Sequence, residues 1–408
     1  RDAQESRGLG DVYKRQTRTY RTALLSTLLL AGCTPRETMP ELTDRVFAVA
    51  AAQYEQLEGR LTDETLPRSV ASDGKFIPSN IRWWCSGFYP GSLWYIYEYT
   101  GDKTFRELAE KNTFKLYPLK QKGTDHDLGF QMNCSFGNAY RITGEQKYLE
   151  PIHTSARVLA GRFSPVTGVI RSWDFVRKGR DWKYPVIIDN MMNLDLLFNV
   201  SKLTGNEKYK NVAVKHAQTT MKNHFRPDYT SYHVVSYNND GSVEIKQTHQ
   251  GKNAESAWSR GQAWGVYGYT SCYRETQDTA FLQEAVHIAG MIMERVKTDD
   301  LIPYWDYDAP AGEKTPRDAS AAAVTASAFL ELSTFIPDGK KYFDYAETIL
   351  KNLSSPDYLS AKGSNQGYVL MHSTGSLPHG SEIDVPLNYA DYYYLEALKR
   401  YIDLQNKG

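Results

Sequence analysis

One phrase recurs along this 408-residue chain and limits its fold more than any other feature. "YTGDKTFRELAEK" from Tyr99, "ITGEQKYLEPIHTSA" from Ile142, "LTGNEKYKNVAVKHA" from Leu203 and "ETQDTAFLQEAVHIA" from Glu275 each set an aromatic five residues after a threonine. "IPDGKKYFDYAETIL" from Ile336 is a degenerate fifth copy, with Pro337 in the threonine's place and Tyr342 as the aromatic. Each phrase reads as a turn opening a helix, with the aromatic at its first buried position. Ahead of each lies another apolar helical run: "GSLWYIYEY", "FGNAYRI", "MNLDLLFNVSK", "WGVYGYTSCYR" and "VTASAFLELSTF". The unit is therefore a helical hairpin, repeated at intervals of roughly 40 to 70 residues.

The opening run "LTDRVFAVAAAQYEQL" and the closing run "NYADYYYLEALKRYIDL" have no hairpin partner of their own. Pairing first with last supplies a sixth unit and closes the chain on itself. The expected fold is all-α: an (α/α)6 toroid of about twelve helices, in which closure removes the need for polar capping repeats. An open helical solenoid is the alternative. One insertion breaks the pattern, because "YTSYHVVSYNNDGSVEIKQTHQG" (229–251) alternates apolar with polar around a turn and reads as a small β-hairpin. The toroid is expected to span 42–408 as one domain, preceded by a linker over 34–41.

The first residues are unlike the rest. "RDAQESRGLGDVYKRQ" (1–16) has neither apolar periodicity nor a starting Met and reads as upstream-translated sequence outside the fold. Residues 17–33 carry Arg18 and Arg21 before "ALLSTLLLAGC", an apolar run too short to span a bilayer and ordered like an export signal. Its "LAGC" ending resembles a bacterial lipobox. That predicts cleavage before Cys33, a lipid on its sulfur, and a protein of the cell envelope, periplasmic or at the surface, touching membrane only through that anchor. An ordinary signal peptide with a chance cysteine is the alternative. Cys85, Cys134 and Cys272 stand apart, with no metal-ligand spacing, and read as free buried thiols. Lys plus Arg and Asp plus Glu each number 48, so no net charge recruits nucleic acid or an acidic membrane surface. The 29 Tyr, 8 Trp and 15 Phe instead offer flat faces on which sugars can stack. Oligomeric state is left open.

In a toroid the inner helices aim their N-terminal ends at one mouth of the ring. Five such starts hold polar residues: "IRWWCSGFYPG", "DHDLGF", "IIDNMMN", "SAWSRGQAWG" and "PRDASAAAV". The third is the most demanding, since Asp189 stands with Asn190 in an apolar run. An ionised carboxylate buried without a partner costs several kcal/mol or takes up a proton. Capping of the helix end is the plain explanation for any one of these acids.

The ordered set "SGFYPGSLW", "HDLGF", "IIDNMMNLDLLF", "HQGKNAESAWSRGQAWGVYGY" and "RDASAAAVTASAFLEL" resembles the unsaturated glucuronyl hydrolases of glycoside hydrolase family 88, over about residues 42 to 405. The resemblance implies an (α/α)6 barrel, no cofactor, and a substrate whose non-reducing uronate carries a C4=C5 double bond left by a lyase. It implies that Asp189 is the general acid/base and Asp127 its paired carboxylate, with one of the two acids raised in pKa by the other. It also implies a substrate-binding set of Trp84, His126, Asn190, His233, His249, Gln250, Trp258, Arg260 and Trp264, with the Arg260 fork on the uronate carboxylate. Asp125 reads as a solvated loop charge, and His153, His216, His224 and His287 as core or surface residues. The segment 361–373 is placed beside the second sugar, where Lys362 is its one cation and no sulfate preference follows. The competing readings are an unsaturated rhamnogalacturonyl hydrolase acting on pectin fragments, an inverting toroidal glycosidase, and a non-catalytic glycan-binding lipoprotein.

Overall fold

The computed structural model describes residues 37–174 and 180–406. The 1–16 tail, the signal-like run and Cys33 lie outside the described residues. In chain order the helices are α1 (Met39–Glu58), α2 (Phe88–Thr100), α3 (Lys103–Lys115), α4 (Leu128–Met132), α5 (Asn138–Thr143), α6 (Leu149–Ala160), α7 (Asn190–Thr204), α8 (Glu207–His224), α9 (Ser259–Thr276), α10 (Thr279–Arg295), α11 (Ala319–Leu332), α12 (Lys340–Leu353) and α13 (Asn388–Gln405). A π-helical turn, Asn133–Gly137, joins α4 to α5. The inner wall runs α2, α4–α5, α7, α9, α11, α13, each against the next, and α13 returns to α2. Every outer helix packs on the inner helix before it in the chain, and α1 packs on α13 and α2. The expected ring of six hairpins is therefore present among the described residues, the sixth made by the first and last helices.

Burial follows position in the ring. The inner helix α11 buries almost every residue, as an all-round apolar helix must, whereas outer α12 buries one stripe: Tyr342, Ala346, Ile349, Leu350 and Leu353. The recurring phrase is the corner between them. Gly101, Gly144 and Gly205 end α2, α5 and α7 in the left-handed region (φ 71°, 69° and 68°), where only glycine avoids a Cβ clash; Gln277 accepts that conformation after α9. Each preceding threonine hydroxyl donates back to the carbonyl four residues earlier, as Thr100 does to Ile96 at 2.7 Å, and accepts from the amide two residues on. Asp102, Asn206 and Asp278 then cap the outgoing helices α3, α8 and α10. The aromatics five residues after the threonine pack as expected at Phe105, Tyr148, Phe281 and Tyr342, while Tyr209 is only partly covered.

Three features differ from expectation. Helix α1 starts within the expected 34–41 linker, because Thr38 and Glu41 form a capping box and Pro40 fits the first turn. The β-hairpin of β6 (Val234–Tyr237) and β7 (Val243–Gln247) carries a third strand, β5 (Pro185–Ile187), paired antiparallel with β6. A second hairpin, β1 (Thr65–Val70) with β2 (Phe76–Asn80), sets Pro67 opposite Pro78. Prolines suppress a strand reading, which is why the sequence did not show it.

Candidate active site

Two acids stand where inner helices begin. Asp127 immediately precedes α4, and Asp189 follows β5 and precedes α7; neither carboxylate makes a capping hydrogen bond. Asp102, Asp278 and Asp318 do cap their helices, so the capping explanation fails at the two positions where the acids matter. Both open onto one cleft of about 190 Å3 that is also lined by Trp84, Trp173, His249, Gln250 and Arg260.

Behind each acid is a buried imidazole whose tautomer is fixed by its neighbours. The backbone amides of His249 and Gln250 both donate to His233 Nδ1 at 3.0 Å, so its proton sits on Nε2, 3.5 Å from Asp189 Oδ2. His126 Nε2 lies 3.5 Å from Asp127 Oδ1. Burial lowers both histidines, His126 to about 4, and keeps them neutral. At Asp189 burial pushes the carboxyl up, but the facing His233 at 3.5 Å, with smaller contributions from His126 and Arg260, outweighs it, and the net shift is downward. The expectation of an acid raised by its surroundings is thus corrected for Asp189: the partners that hold it in an apolar site also hold it ionised.

The family model described as Glycosyl Hydrolase Family 88 matches residues 59–396. The chain belongs to glycosyl hydrolase family 88. The unsaturated glucuronyl hydrolase of Formosa agariphila is 42% identical over 362 residues, covering 85% of this chain and 89% of that protein. The unsaturated chondroitin disaccharide hydrolase of Streptococcus agalactiae is 34% identical over 333 residues, covering 78% and 81%. The crystal structure of an unsaturated glucuronyl hydrolase specific for heparin superposes with a TM-score of 0.87 at 49% identity, over 90% of this chain and 98% of that one.

Against this family-88 frame, several expected substrate contacts move. Trp84, His249 and Gln250 line the cleft as expected. Trp258 and Trp264 do not: both are buried, Trp258 beneath the Arg260 guanidinium (4.5 Å to its ring) and Trp264 in the core between Phe130 and Tyr393. His126, His233 and Asn190 are buried behind the acids rather than at the surface, Asn190 donating to the Ile170 carbonyl at 2.8 Å. Arg260 is 1% exposed and its fork is occupied: Nη1 donates to Asp318 Oδ2 and to the Thr374 carbonyl, Nη2 to the Gly375 carbonyl, each at 2.6 Å. It contributes charge to the cleft and holds the 374–375 backbone, in place of the expected direct clamp on a carboxylate. Asp125 is corrected from a solvated charge to a buried one, paired with Lys122 at 3.0 Å. The segment 361–373 is also corrected, since Gly363 and Ser364 pack on Gln53 of α1, while Gly375, Ser376, His379, Ser381 and Glu382 form the far wall. The cleft wall also includes Trp173, in a stretch without a motif, and Tyr389, in the closing helical run. Cys85, Cys134 and Cys272 are buried free thiols. Among the described residues no helix is long and apolar enough to cross a membrane.

Proposed function

We propose that this family-88 chain hydrates the C4=C5 double bond of an unsaturated uronate at the non-reducing end of lyase-generated glycosaminoglycan oligosaccharides, and so releases that uronate. The observation that supports it is the pair of non-capping acids, each backed by a neutral imidazole, at the mouth of an aromatic-walled cleft. Asp189 gives a proton to C4, and positive charge develops at C5, shared with the ring oxygen. Water adds at C5 and returns a proton to Asp189. The hemiketal so formed opens, and the glycosidic bond breaks without displacement at the anomeric carbon. His233 keeps Asp189 aimed. The named relatives act on glucuronyl, chondroitin-disaccharide and heparin substrates, which supports the glycosaminoglycan class over pectin fragments. The test is loss of alkene ultraviolet absorbance with unsaturated disaccharides from chondroitin, hyaluronan, heparin and pectin. Turnover of the pectin product alone, or of none, would overturn the reading.

The depressed Asp189 requires its proton to arrive with substrate. An anionic sugar that fills the cleft adds a like charge and expels water, and both raise the carboxyl. The alkaline limb of kcat, which reports the complex, is therefore expected at higher pH than the limb of kcat/KM, which reports the free enzyme. Coincident limbs in paired pH–rate profiles would remove this substrate-assisted protonation.

We further propose that Cys33 carries a lipid and that the enzyme is held at the cell envelope, on the strength of the Arg18/Arg21, apolar-run and "LAGC" order. Cys33→Ser is expected to move the protein from the membrane to the soluble fraction; unchanged membrane association would exclude the anchor.

A further inference from the structure

Asn193 bridges the two segments that carry the acid pair. It lies one helical turn after Asp189 on α7, and its side chain reaches across to the segment that carries Asp127. The Phe130 amide donates to Asn193 Oδ1 at 2.6 Å, which fixes which end of the carboxamide is oxygen. The nitrogen end then faces His126 Nδ1 at 3.2 Å and the Asp189 carbonyl at 3.4 Å. A carboxamide nitrogen only donates, so His126 Nδ1 must accept, and the single proton of the neutral ring is left on Nε2, toward Asp127. The approach depends on Gly129, where a Cβ would sit 2.4 Å from Asn193 Oδ1 and 2.5 Å from Asn193 Cβ. At the other acid the same task falls to two backbone amides on His233.

We propose that Asn193 is a positioning residue for the reaction: it selects the Nε2–H tautomer of His126, and through it the orientation of Asp127, while tying Asp127 to the start of the helix that bears Asp189. This rests on the reading of Asp127 and Asp189 as the acting pair. Asn193→Asp preserves shape and still accepts from Phe130, but it offers His126 Nδ1 an acceptor in place of a donor. The ring then holds its proton on Nδ1 or becomes an imidazolium. The charged groups around His126, namely Asp125, Asp127, Asp189 and Arg162, are unchanged by the substitution.

The experiment is 15N NMR of protein labelled at histidine, with His126→Gln to assign the signal, beside kinetics and melting on the same preparations. The wild-type ring is expected as the neutral Nε2–H form; an Nδ1–H ring there overturns the proposal without any variant. Asn193→Asp is expected to change that pattern and to lower kcat by about 10- to 100-fold, the size of loss that follows when the partner orienting a metal-bound imidazole is removed, with KM and melting temperature little moved. An unchanged ring pattern, an unchanged kcat with a switched ring, or activity that tracks the folded fraction alone would each overturn it. Failure of the wild type on every unsaturated uronide is a different result, and it counts against the proposed function.

Discussion

Asp189→Asn yields a folded protein whose kcat/KM toward unsaturated uronides is lower by at least about 10²–10⁴, the range for loss of a general acid or base. The fold should survive for reasons visible around the residue. Its carboxylate makes no capping bond, so α7 loses nothing at its N-terminus. The backbone carbonyl of residue 189 still accepts from Met192 at 3.0 Å, and an Asn oxygen can receive the His233 Nε2 proton. An Asn cannot give a proton to C4 or take one from water. Melting and turnover measured together decide the matter: a variant keeping more than about a tenth of wild-type activity would end the assignment.

Arg260→Met is expected to cost about 3–5 kcal/mol of stability, as breaking a buried ion pair from one side does. Asp318 would stay buried with its Oδ2 charge uncompensated, although its Oδ1 still caps α11 through the Ser320 amide at 3.1 Å. The Thr374 carbonyl would lose its Arg260 donor and the Gly375 carbonyl one of its two, the other being Gln250 Nε2 at 3.0 Å, so the cleft wall should loosen. Arg260→Lys keeps the charge but cannot span three acceptors with a planar fork, and an intermediate loss is expected. Thermal or urea unfolding checks both variants, with kcat/KM corrected for folded fraction. Full stability with lost efficiency would return Arg260 to direct contact with the sugar.

How much the sequence disclosed depends on what kind of force fixes each feature. The ring was legible because local chemistry repeats: at three corners a threonine, a left-handed Gly or Gln and a capping Asp or Asn follow one another in three consecutive residues. Asp189 was legible because an acid in an apolar run demands an explanation, whereas Asp127 was legible only through the family-88 resemblance of "HDLGF". The division of labour around them was not. Whether Trp258 meets a sugar or lies under a guanidinium depends on Asp318, Thr374 and Gly375, which are distant in sequence. The same holds for the direction of the Asp189 shift, since burial and the His233 contact oppose each other and only geometry weighs them. Strand β5 escaped for a related reason: three residues alone carry no period, and its partner lies some fifty residues downstream.

The pairing of α13 with α1 and α2 also sets a timetable. Five hairpins are built from neighbours in the chain and can form as they emerge during synthesis, but α2 and α11 each keep a bare flank until α13 arrives. In an open array the end units can fray while the middle stays folded; here the last long-range docking must succeed or the wall stays breached. That docking also delivers Tyr389 and the 375–382 wall to the cleft. Ring closure and assembly of the cleft are thus one late event, and a ribosome-bound chain lacking α13 should hold most of its helices yet show no turnover.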